Sequence, residues 1–300
     1  MPERLDQVFP RPLFNNFEFI SGGATGWVFE VAPGIALKFL RPGREDEFRR
    51  ENEIYALIER SDHPPPPHFI QSFLRLPYAH FMQSMPDSLD SRLRANRRQD
   101  PKTLECFEVL RLEPTAKIEQ WAAELSSALA WLESIELVQG DLRPSNLLLD
   151  SEDHMKLVDF DSCAKIGDLD PGLPPPWSSP NHHLYGAETE QFGFGSILYN
   201  MTHGLEPYED KGPGPETVEL FRTGLFPELR SDSQLDVLTL RCWRSEFATL
   251  ADLAEYCATL NGAKLAATTN AINPEYIAKM KTTCEELLRT KLADLDKELS

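Results

Sequence analysis

Basic residues, cysteines and long apolar runs are all scarce in this sequence of 300 residues. Lys and Arg number 30 against 48 Asp and Glu, so the formal net charge is −18. A field of that sign repels phosphate backbones, which argues against a nucleic-acid-binding protein. No apolar run approaches the roughly 18–20 residues of a membrane span, and residues 1–20 lack the apolar core of a secretory signal. We therefore expect neither nucleic acid nor membrane as a partner.

The five cysteines are widely spaced, odd in number and form no CxxC pair. They predict no disulfide framework and favour a reducing compartment. We expect a cytoplasmic protein, and a nuclear location is equally compatible. With 41% hydrophobic and 26% charged residues, the chain has the composition of a globular protein.

Apolar spacing divides the sequence into a β-rich beginning and a mainly helical remainder. Short apolar runs between turn residues predict strands, and apolar positions three or four residues apart predict helices. The predicted strands cover 17–20, 27–31, 35–40, 69–74, 78–82, 147–149 and 155–158, and the predicted helices cover about 45–60, 117–136, 192–201, 234–243, 250–260 and a tail from 273 to 299. Packing of the tail on its own domain is preferred to a coiled coil between chains. The arginines at 92, 94, 97 and 98 are interpreted as a solvated helix face.

A glycine-rich turn at 21–28 is followed by a lysine and a glutamate that the hydrophobic pattern predicts to be paired. Such turns let backbone N–H groups approach a phosphate, although the turn alone is weak evidence. Glu51 lies on the apolar stripe of its predicted helix, between Phe48 and Tyr55. A carboxylate on a buried face is costly without a partner. Lys38, thirteen residues upstream, is the expected partner, the alternative being a solvated acid at the edge of the stripe.

The segments 138–149 and 156–161 concentrate the polar chemistry of the sequence. They place Asp141, Arg143, Asn146 and Asp159 within nineteen residues, around a predicted hairpin. Two acids and an amide suit Mg²⁺, which prefers oxygen ligands. A cation such as Arg143 beside an acid suits transfer of a negatively charged phosphoryl group.

In this order the motifs resemble those of the protein kinase family, from about residue 17 to residue 260. Gly23, Gly26 and Val28 match the later part of G-x-G-x-x-G-x-V. Lys38 and Glu51 match the strand lysine and its helix partner, and residues 82–85 fall where the hinge binds adenine. The catalytic-loop motif H-R-D-x-x-x-x-N and the start of D-F-G are matched around Asp141, Asn146 and Asp159. Residues 177–181 and 190–208 resemble the A-P-E region and the stretch that opens the large central helix.

The resemblance implies a role for each matched residue, with ATP and Mg²⁺ as cofactors and a protein as substrate. Asp141 would accept or orient the substrate hydroxyl beside Arg143. Asn146 and Asp159 would hold Mg²⁺. The residues implied to bind ATP are Ser21, Gly22, Gly23, Gly26, Val28, Ala36, Lys38, Glu51, Gln83 and Met85.

Several positions depart from the family pattern. Ser21 replaces the first glycine, Gln139 and Gly140 replace the histidine and arginine of H-R-D, Asp161 replaces the glycine of D-F-G, and Asn181 replaces the glutamate of A-P-E. The arginine normally neutralises a phosphate on the activation loop, so its absence implies activity independent of that phosphorylation. The arginine that normally pairs with the A-P-E glutamate is also not evident in residues 244–249.

The sequence predicts an α+β, bilobal protein-kinase-like fold. The expected organisation is an N-terminal extension (1–16), a kinase-like domain (17–262, with a small lobe at about 17–83 and a large lobe at about 86–262) and a helical tail (263–300). The expected function is an ATP-dependent serine/threonine protein kinase acting in the cleft between lobes. Two alternatives stay open: a pseudokinase that binds a nucleotide or a partner, and a small-molecule phosphotransferase of the aminoglycoside or choline kinase type.

Overall fold

The computed structural model describes residues 16–63, 65–100, 102, 106–172, 174–212, 214–266, 273–293 and 295. The predicted extension at 1–16 lies almost wholly outside these ranges, as does Leu299 of the tail. The described residues form two compact units: the first contains those within 1–57, 70–84 and 272–300, and the second contains those within 58–69 and 85–271. Within the described residues, no helix is both long and apolar enough to cross a bilayer.

The first unit is built on a five-stranded antiparallel sheet. Its strands lie in the order β1-β2-β3-β5-β4, with bounds β1 Glu18–Gly22, β2 Gly26–Ala32, β3 Ile35–Leu40, β4 Ser72–Leu76 and β5 Ala79–Gln83. The reversal between β2 and β3 is tight because Gly34 takes a left-handed conformation (φ 77°). The predicted strand at 35–40 is confirmed, whereas the strand predicted at 69–74 begins three residues later.

Helix α1 (Glu45–Arg60) also has the bounds that its periodicity predicts. Three acids occupy its first turn and Arg60 its last, which matches the helix dipole at both ends. Phe48 and Tyr55 are buried, and Glu51 lies between them on the same stripe.

The two faces of the sheet differ in chemistry because side chains alternate along each strand. Val28, Lys38 and His80 are directly opposite one another in β2, β3 and β5, so they share one face. The opposite face is apolar, and the C-terminal helix (Pro274–Thr290) packs on it together with the residues that follow. The buried members of this core are Trp27, Phe29, Val31, Ile35, Leu37, Phe39, Phe73, Ala79, Phe81, Cys284, Leu287, Leu292 and Leu295. The tail therefore completes the core of the first unit.

The second unit is mainly helical. Its helices are α2 Leu89–Ala95, α3 Thr115–Ser134, α4 Ala187–His203, α5 Pro215–Arg222, α6 Gln234–Trp243, α7 Leu250–Ala258 and α8 Ala263–Ala266. Its short strands are β6 Asp87–Ser88, β7 Arg97–Gln99, β8 Cys106–Val109, β9 Leu137–Val138, β10 Leu147–Leu149, β11 Met155–Leu157 and β12 Ala164–Lys165. Helices α2, α5 and α8 and several of these two- to four-residue strands are absent from the sequence prediction, since such short segments carry little periodicity.

Helices α3 and α4 form the centre of the second unit. Both are buried on most of their surface, and they pack on α7 and α6, respectively. Helix α4 begins five residues before the predicted helix at 192–201 and ends at Gly204, which takes a left-handed conformation (φ 74°). A Cβ at Gly204 would lie 2.6 Å from a methyl group of Val109, so glycine is required there.

The arginine cluster is not the solvated helix face that the sequence suggested. Arg97 is 8% exposed and makes an ion pair of 3.1 Å with Glu209. Arg92 bridges Asp87 and Asp153 at 3.0 and 2.7 Å. The prediction was wrong for Arg92 and Arg97, because Asp153 and Glu209, which pair with them, come from distant parts of the sequence.

Candidate active site

The glycine-rich segment forms the turn between β1 and β2. The Gly23 N–H donates to the Gly26 carbonyl oxygen at 2.9 Å. A Cβ at Gly26 would lie 2.7 Å from the Phe39 carbonyl oxygen, whereas one at Gly23 would meet nothing nearer than 4.0 Å. Ser21, Gly22 and Gly23 are exposed. Packing therefore requires glycine at position 26, whereas residues 21–23 are exposed at the turn.

A buried ion pair joins strand β3 to helix α1. Lys38 Nζ donates to Glu51 Oε2 at 2.6 Å, and the two side chains are 6% and 2% exposed. This is the pair that the stripe position of Glu51 predicts. Burial, aided by the charges of Arg75 and Lys38, lowers the pKa of the neighbouring His80 well below its usual value. A neutral His80 adds no second positive charge beside Lys38.

The other residues implied to bind ATP occupy identifiable places in the backbone. Ala36 is buried and Val28 half-buried, and both lie on the same face of the sheet as Lys38. Gln83 ends β5, and its N–H donates to the Gln71 carbonyl oxygen at 2.8 Å. Met85, in the second unit, is half-buried just before β6.

The segment after β9 gathers three of the predicted residues in one hydrogen-bonded group. Asn146 Nδ2 donates to the Asp141 carbonyl oxygen at 2.9 Å and to Asp141 Oδ2 at 3.1 Å. Arg143 contacts the same carboxylate oxygen at 2.7 Å. A short 3₁₀ turn, Pro144–Asn146, returns the chain so that Asn146 faces Asp141.

Asp141 is a buried acid with one oxygen left over. Its Oδ1 atom is buried and has no hydrogen-bond partner among the described residues. Burial raises the pKa of Asp141 to about 6, against the opposing effects of Arg143 and Asn146. An acid of this kind is suited to accept a hydrogen bond from a hydroxyl group that enters the site.

Asp159 follows the β10–β11 hairpin in a left-handed backbone conformation (φ 64°). Gln139 connects it to the catalytic loop, because Gln139 Nε2 donates to the Asp159 carbonyl oxygen at 3.0 Å. The same amide, through Oε1, accepts the Asp141 N–H at 2.6 Å. Gln139 thus positions both acids, which agrees with the mainly structural role implied for the histidine position of H-R-D.

Glu190 of α4 is a second positioning residue that the sequence did not reveal. Its two carboxylate oxygens accept the N–H groups of Gln139 and Gly140, each at 3.1 Å. Burial raises the pKa of Glu190 to about 7, although these two N–H groups act in the opposite direction. The signal for this contact is an acid at the start of a buried helix, which spacing alone cannot pair with a distant loop.

Gly140 fills a place that admits no side chain. Its φ is +78°, and a Cβ would lie 2.3 Å from the Ser162 carbonyl oxygen. The local backbone therefore requires glycine at this position, where the family motif has arginine. Asp161, at the D-F-G glycine position, accepts a hydrogen bond from Ser162 Oγ at 3.0 Å. Asn181 donates through Nδ2 to the Arg222 carbonyl oxygen at 3.3 Å.

In each unit, then, a part of the predicted set lies together. Lys38 and Glu51 are paired in the first unit, while Asp141, Arg143 and Asn146, with Asp159 joined through Gln139, are grouped in the second. The first group is a buried lysine–glutamate pair beside a glycine-rich turn, and the second contains a buried aspartate held by an asparagine five residues later. Together they are the motifs of a phosphotransferase of the protein-kinase class.

Comparison with known proteins agrees with that class. A profile of the protein kinase domain matches residues 18–277. The chain is 35% identical over 126 residues to the serine/threonine-protein kinase Sgk1-B of Xenopus laevis, a match that covers 39% of this chain and 26% of that protein. It is 33% identical over 124 residues to Sgk1 of Homo sapiens, with 39% and 26% covered. Against Protein kinase 2 of Dictyostelium discoideum it is 38% identical over 103 residues, with 32% and 21% covered.

The chain belongs to the protein kinase family, because the domain profile spans most of its length. The predicted resemblance and the predicted α+β fold class are confirmed. The chain spans only about a quarter of the length of the first curated relatives that it matches.

Proposed function

We propose that this protein is an ATP-dependent serine/threonine protein kinase that transfers the γ-phosphoryl group to a protein hydroxyl. The observation that carries the proposal is the state of Asp141: one carboxylate oxygen is held by Asn146 and Arg143, and the other is buried without a partner among the described residues. A substrate hydroxyl that donates to Oδ1 would satisfy this atom. The relatives named serine/threonine-protein kinases support the choice of hydroxyl.

Lys38 would bind the α- and β-phosphates. Its ammonium group is oriented by Glu51 at 2.6 Å, so it needs no reorganisation when the phosphates arrive. Gly26 allows close approach of the turn to β3, and the exposed residues 21–23 would let phosphates approach the turn.

The donor chemistry also fits Mg²⁺. Asn146 uses its Nδ2 on Asp141, which leaves the amide oxygen as its acceptor, and Asp159 offers a carboxylate. Among the residues that the structure describes, no three His, Cys, Asp or Glu side chains form a metal cluster. Mg²⁺ does not need one, because it is commonly held by one or two protein oxygens together with substrate phosphates. When bound, the ion would neutralise charge on the transferring phosphoryl group.

The pseudokinase alternative has specific support. Gly140 has no room for the arginine of the motif, and Asp161 adds a carboxylate where the family has glycine. The charges of Asp159 and Asp161 both raise the pKa of Asp141. A protein with these features that binds nucleotide without transfer would act through its surface.

The proposal is tested by transfer of labelled γ-phosphate from Mg²⁺–ATP to basic proteins and a Ser/Thr peptide library. Asp141→Asn should lower transfer by about 100-fold or more, since a general base contributes roughly 10²–10⁴-fold. Asp159→Asn should also lower transfer, because it removes a proposed oxygen ligand of Mg²⁺. Asp62→Asn is the matched control, because Asp62 is exposed. Its transfer rate should equal that of the wild type.

Three results would redirect the proposal. Nucleotide binding with no transfer by folded wild type would establish the pseudokinase. Transfer to an amino-sugar or choline panel but not to peptides would establish the small-molecule phosphotransferase. Transfer that survives both Asp141→Asn and Asp159→Asn would contradict the assigned roles.

A further inference from the structure

A cavity of about 420 Å³ lies in the second unit. We call it the aromatic cavity. It is lined by the segment 179–182, by the end of α5 and the turn that follows it, and by the end of α6 with Arg244 and Ser245. Its volume falls within the range of about 300–1,000 Å³ typical of small-molecule sites. None of its lining residues is among those implied to bind ATP or metal.

The floor of the aromatic cavity consists of packed rings. Phe192 and Phe221 meet edge to face with centroids 5.5 Å apart, and Phe226 stacks on Trp243 at 5.0 Å. Trp243 Nε1 donates to Ser196 Oγ at 2.9 Å, which fixes the orientation of the indole. Phe226 is half-buried and lines the cavity. A planar apolar group can pack against such a floor in offset or edge geometry.

The rim of the aromatic cavity is cationic. Arg244 is exposed and makes no ion pair within the described residues. Arg222 donates from Nη1 to Glu219 Oε2 at 2.8 Å, but a guanidinium has five N–H donors and retains others. His182 is half-buried, with Nδ1 3.0 Å from Ser179 Oγ.

No acid lies in the wall of the aromatic cavity, and the Glu219 that pairs with Arg222 is outside the wall. None of the twelve described residues that line the cavity is Asp or Glu, although the chain carries a net charge of −18. Asn181, which faces the cavity from the segment 179–182, is neutral and uses its amide on the Arg222 carbonyl oxygen. A second cavity, of about 460 Å³, is lined by Arg241, but its wall also contains three acids, Glu246, Asp252 and Glu255. The cationic rim without acids therefore distinguishes the aromatic cavity from this second cavity.

We propose that the aromatic cavity binds a small aromatic ligand that carries an anionic group, with its ring on Phe226 and Trp243 and its charge at Arg222 and Arg244. Each half of such a ligand has a partner: the ring buries apolar surface, and the anion receives charge-assisted hydrogen bonds from guanidinium groups. The inference is independent of the proposed kinase activity, so its test needs no phosphoryl transfer.

Phenyl phosphate is the probe, followed by ligand-detected NMR titration into the full chain without nucleotide. The expected dissociation constant is about 1 mM or lower for a ligand of this size. The variant Arg222→Gln/Arg244→Gln changes two exposed side chains and should fold normally, which circular dichroism checks. It should weaken binding about tenfold or more. Arg241→Gln, at the rim of the second cavity, is the matched control and should change binding less than twofold.

Two further probes separate the requirements for ring and charge. Benzyl alcohol, which has the ring without the charge, should bind at least about tenfold more weakly. Inorganic phosphate at the same concentration should not displace phenyl phosphate. The proposal is overturned if phenyl phosphate does not bind, if the double variant binds as tightly as the wild type, if benzyl alcohol binds equally well, or if phosphate alone displaces the probe.

Discussion

Restoring the family's arginine at position 140 should damage this protein rather than activate it. Gly140 has φ +78°, and a Cβ there would lie 2.3 Å from the Ser162 carbonyl oxygen and 3.2 Å from its carbonyl carbon. Ordinary contact between such atoms needs about 3.4 Å, so the backbone at Ser162 would have to move by about 1 Å. Any residue larger than glycine meets this obstacle at its first side-chain carbon.

A second glycine, Gly167, separates the loss of stability into a part due to backbone strain and a part due to the steric contact. Gly167 has φ +89° and nothing within 4 Å of its Cβ position, so Gly167→Ala carries only the left-handed strain of about 1–2 kcal/mol. Reduced freedom of the unfolded chain offsets about 0.4–1 kcal/mol of that. Gly140→Ala carries the same net cost plus about 1–3 kcal/mol for the overpacked contact.

Urea unfolding of the full chain measures both free energies, and both positions lie in the same unit. We expect Gly140→Ala and Gly140→Arg to be less stable than Gly167→Ala by about 1–3 kcal/mol. Their transfer rate should also fall, since Ser162 follows Asp159 closely in the sequence. Equal stability of Gly140→Ala and Gly167→Ala, or a gain of activity in Gly140→Arg, would refute the reasoning.

Three more predictions concern stability. Leu292→Ala should lower the free energy of unfolding by about 2–5 kcal/mol, because Leu292 is a tail residue only 1% exposed in the core of the first unit. As a control, Leu225→Ala changes a side chain that is 58% exposed and should alter this free energy by less than about 0.5 kcal/mol. Burial, with smaller effects from Lys156 and His154, lowers the pKa of His68 to about 4 from 6.5, so the stability it contributes is present above pH 6.5 and lost as the pH falls toward 4. Between pH 7 and pH 5 this loss of stability is about 2 kcal/mol. Urea titrations at the two pH values should show that the loss disappears in His68→Gln. It should persist in the control His63→Gln, which alters an exposed side chain. Asn273→Ala should cost about 1 kcal/mol, measured by thermal unfolding, because Asn273 Oδ1 accepts the Glu275 N–H at 2.9 Å at the start of the C-terminal helix; no loss of stability would contradict the capping role.

Periodicity predicted the long elements of the fold well. Helix α1 and the strand Ile35–Leu40 have the predicted bounds, because their apolar spacing, flanking turns and charged ends all agree. Several short helices and strands of the second unit escaped prediction, although the strands at 147–149 and 155–157 were predicted. Segments of two to eight residues complete too few turns or alternations for a pattern to be recognised.

The candidate site was predictable where it depends on residue types at short spacings in the sequence. A carboxylate on an apolar stripe required a cation, and Lys38 is its partner. The spacing of Asp141 and Asn146 allowed one loop to bring them together. The contacts of Gln139 and Glu190 could not be predicted, because they join residues 20 and 50 or more positions apart in the sequence.

The sequence by itself determined the family, the α+β class and the identity of the paired groups, since these depend on residue types at short spacings. Only the tertiary structure decided which face of the sheet the C-terminal helix covers, why position 140 must be glycine, and that an acid-free aromatic cavity lies beside Arg244. Each of these depends on atoms brought within a few ångströms by chain segments far apart in sequence. Steric exclusion and charge balance act over such distances in space, and no spacing along the chain records them.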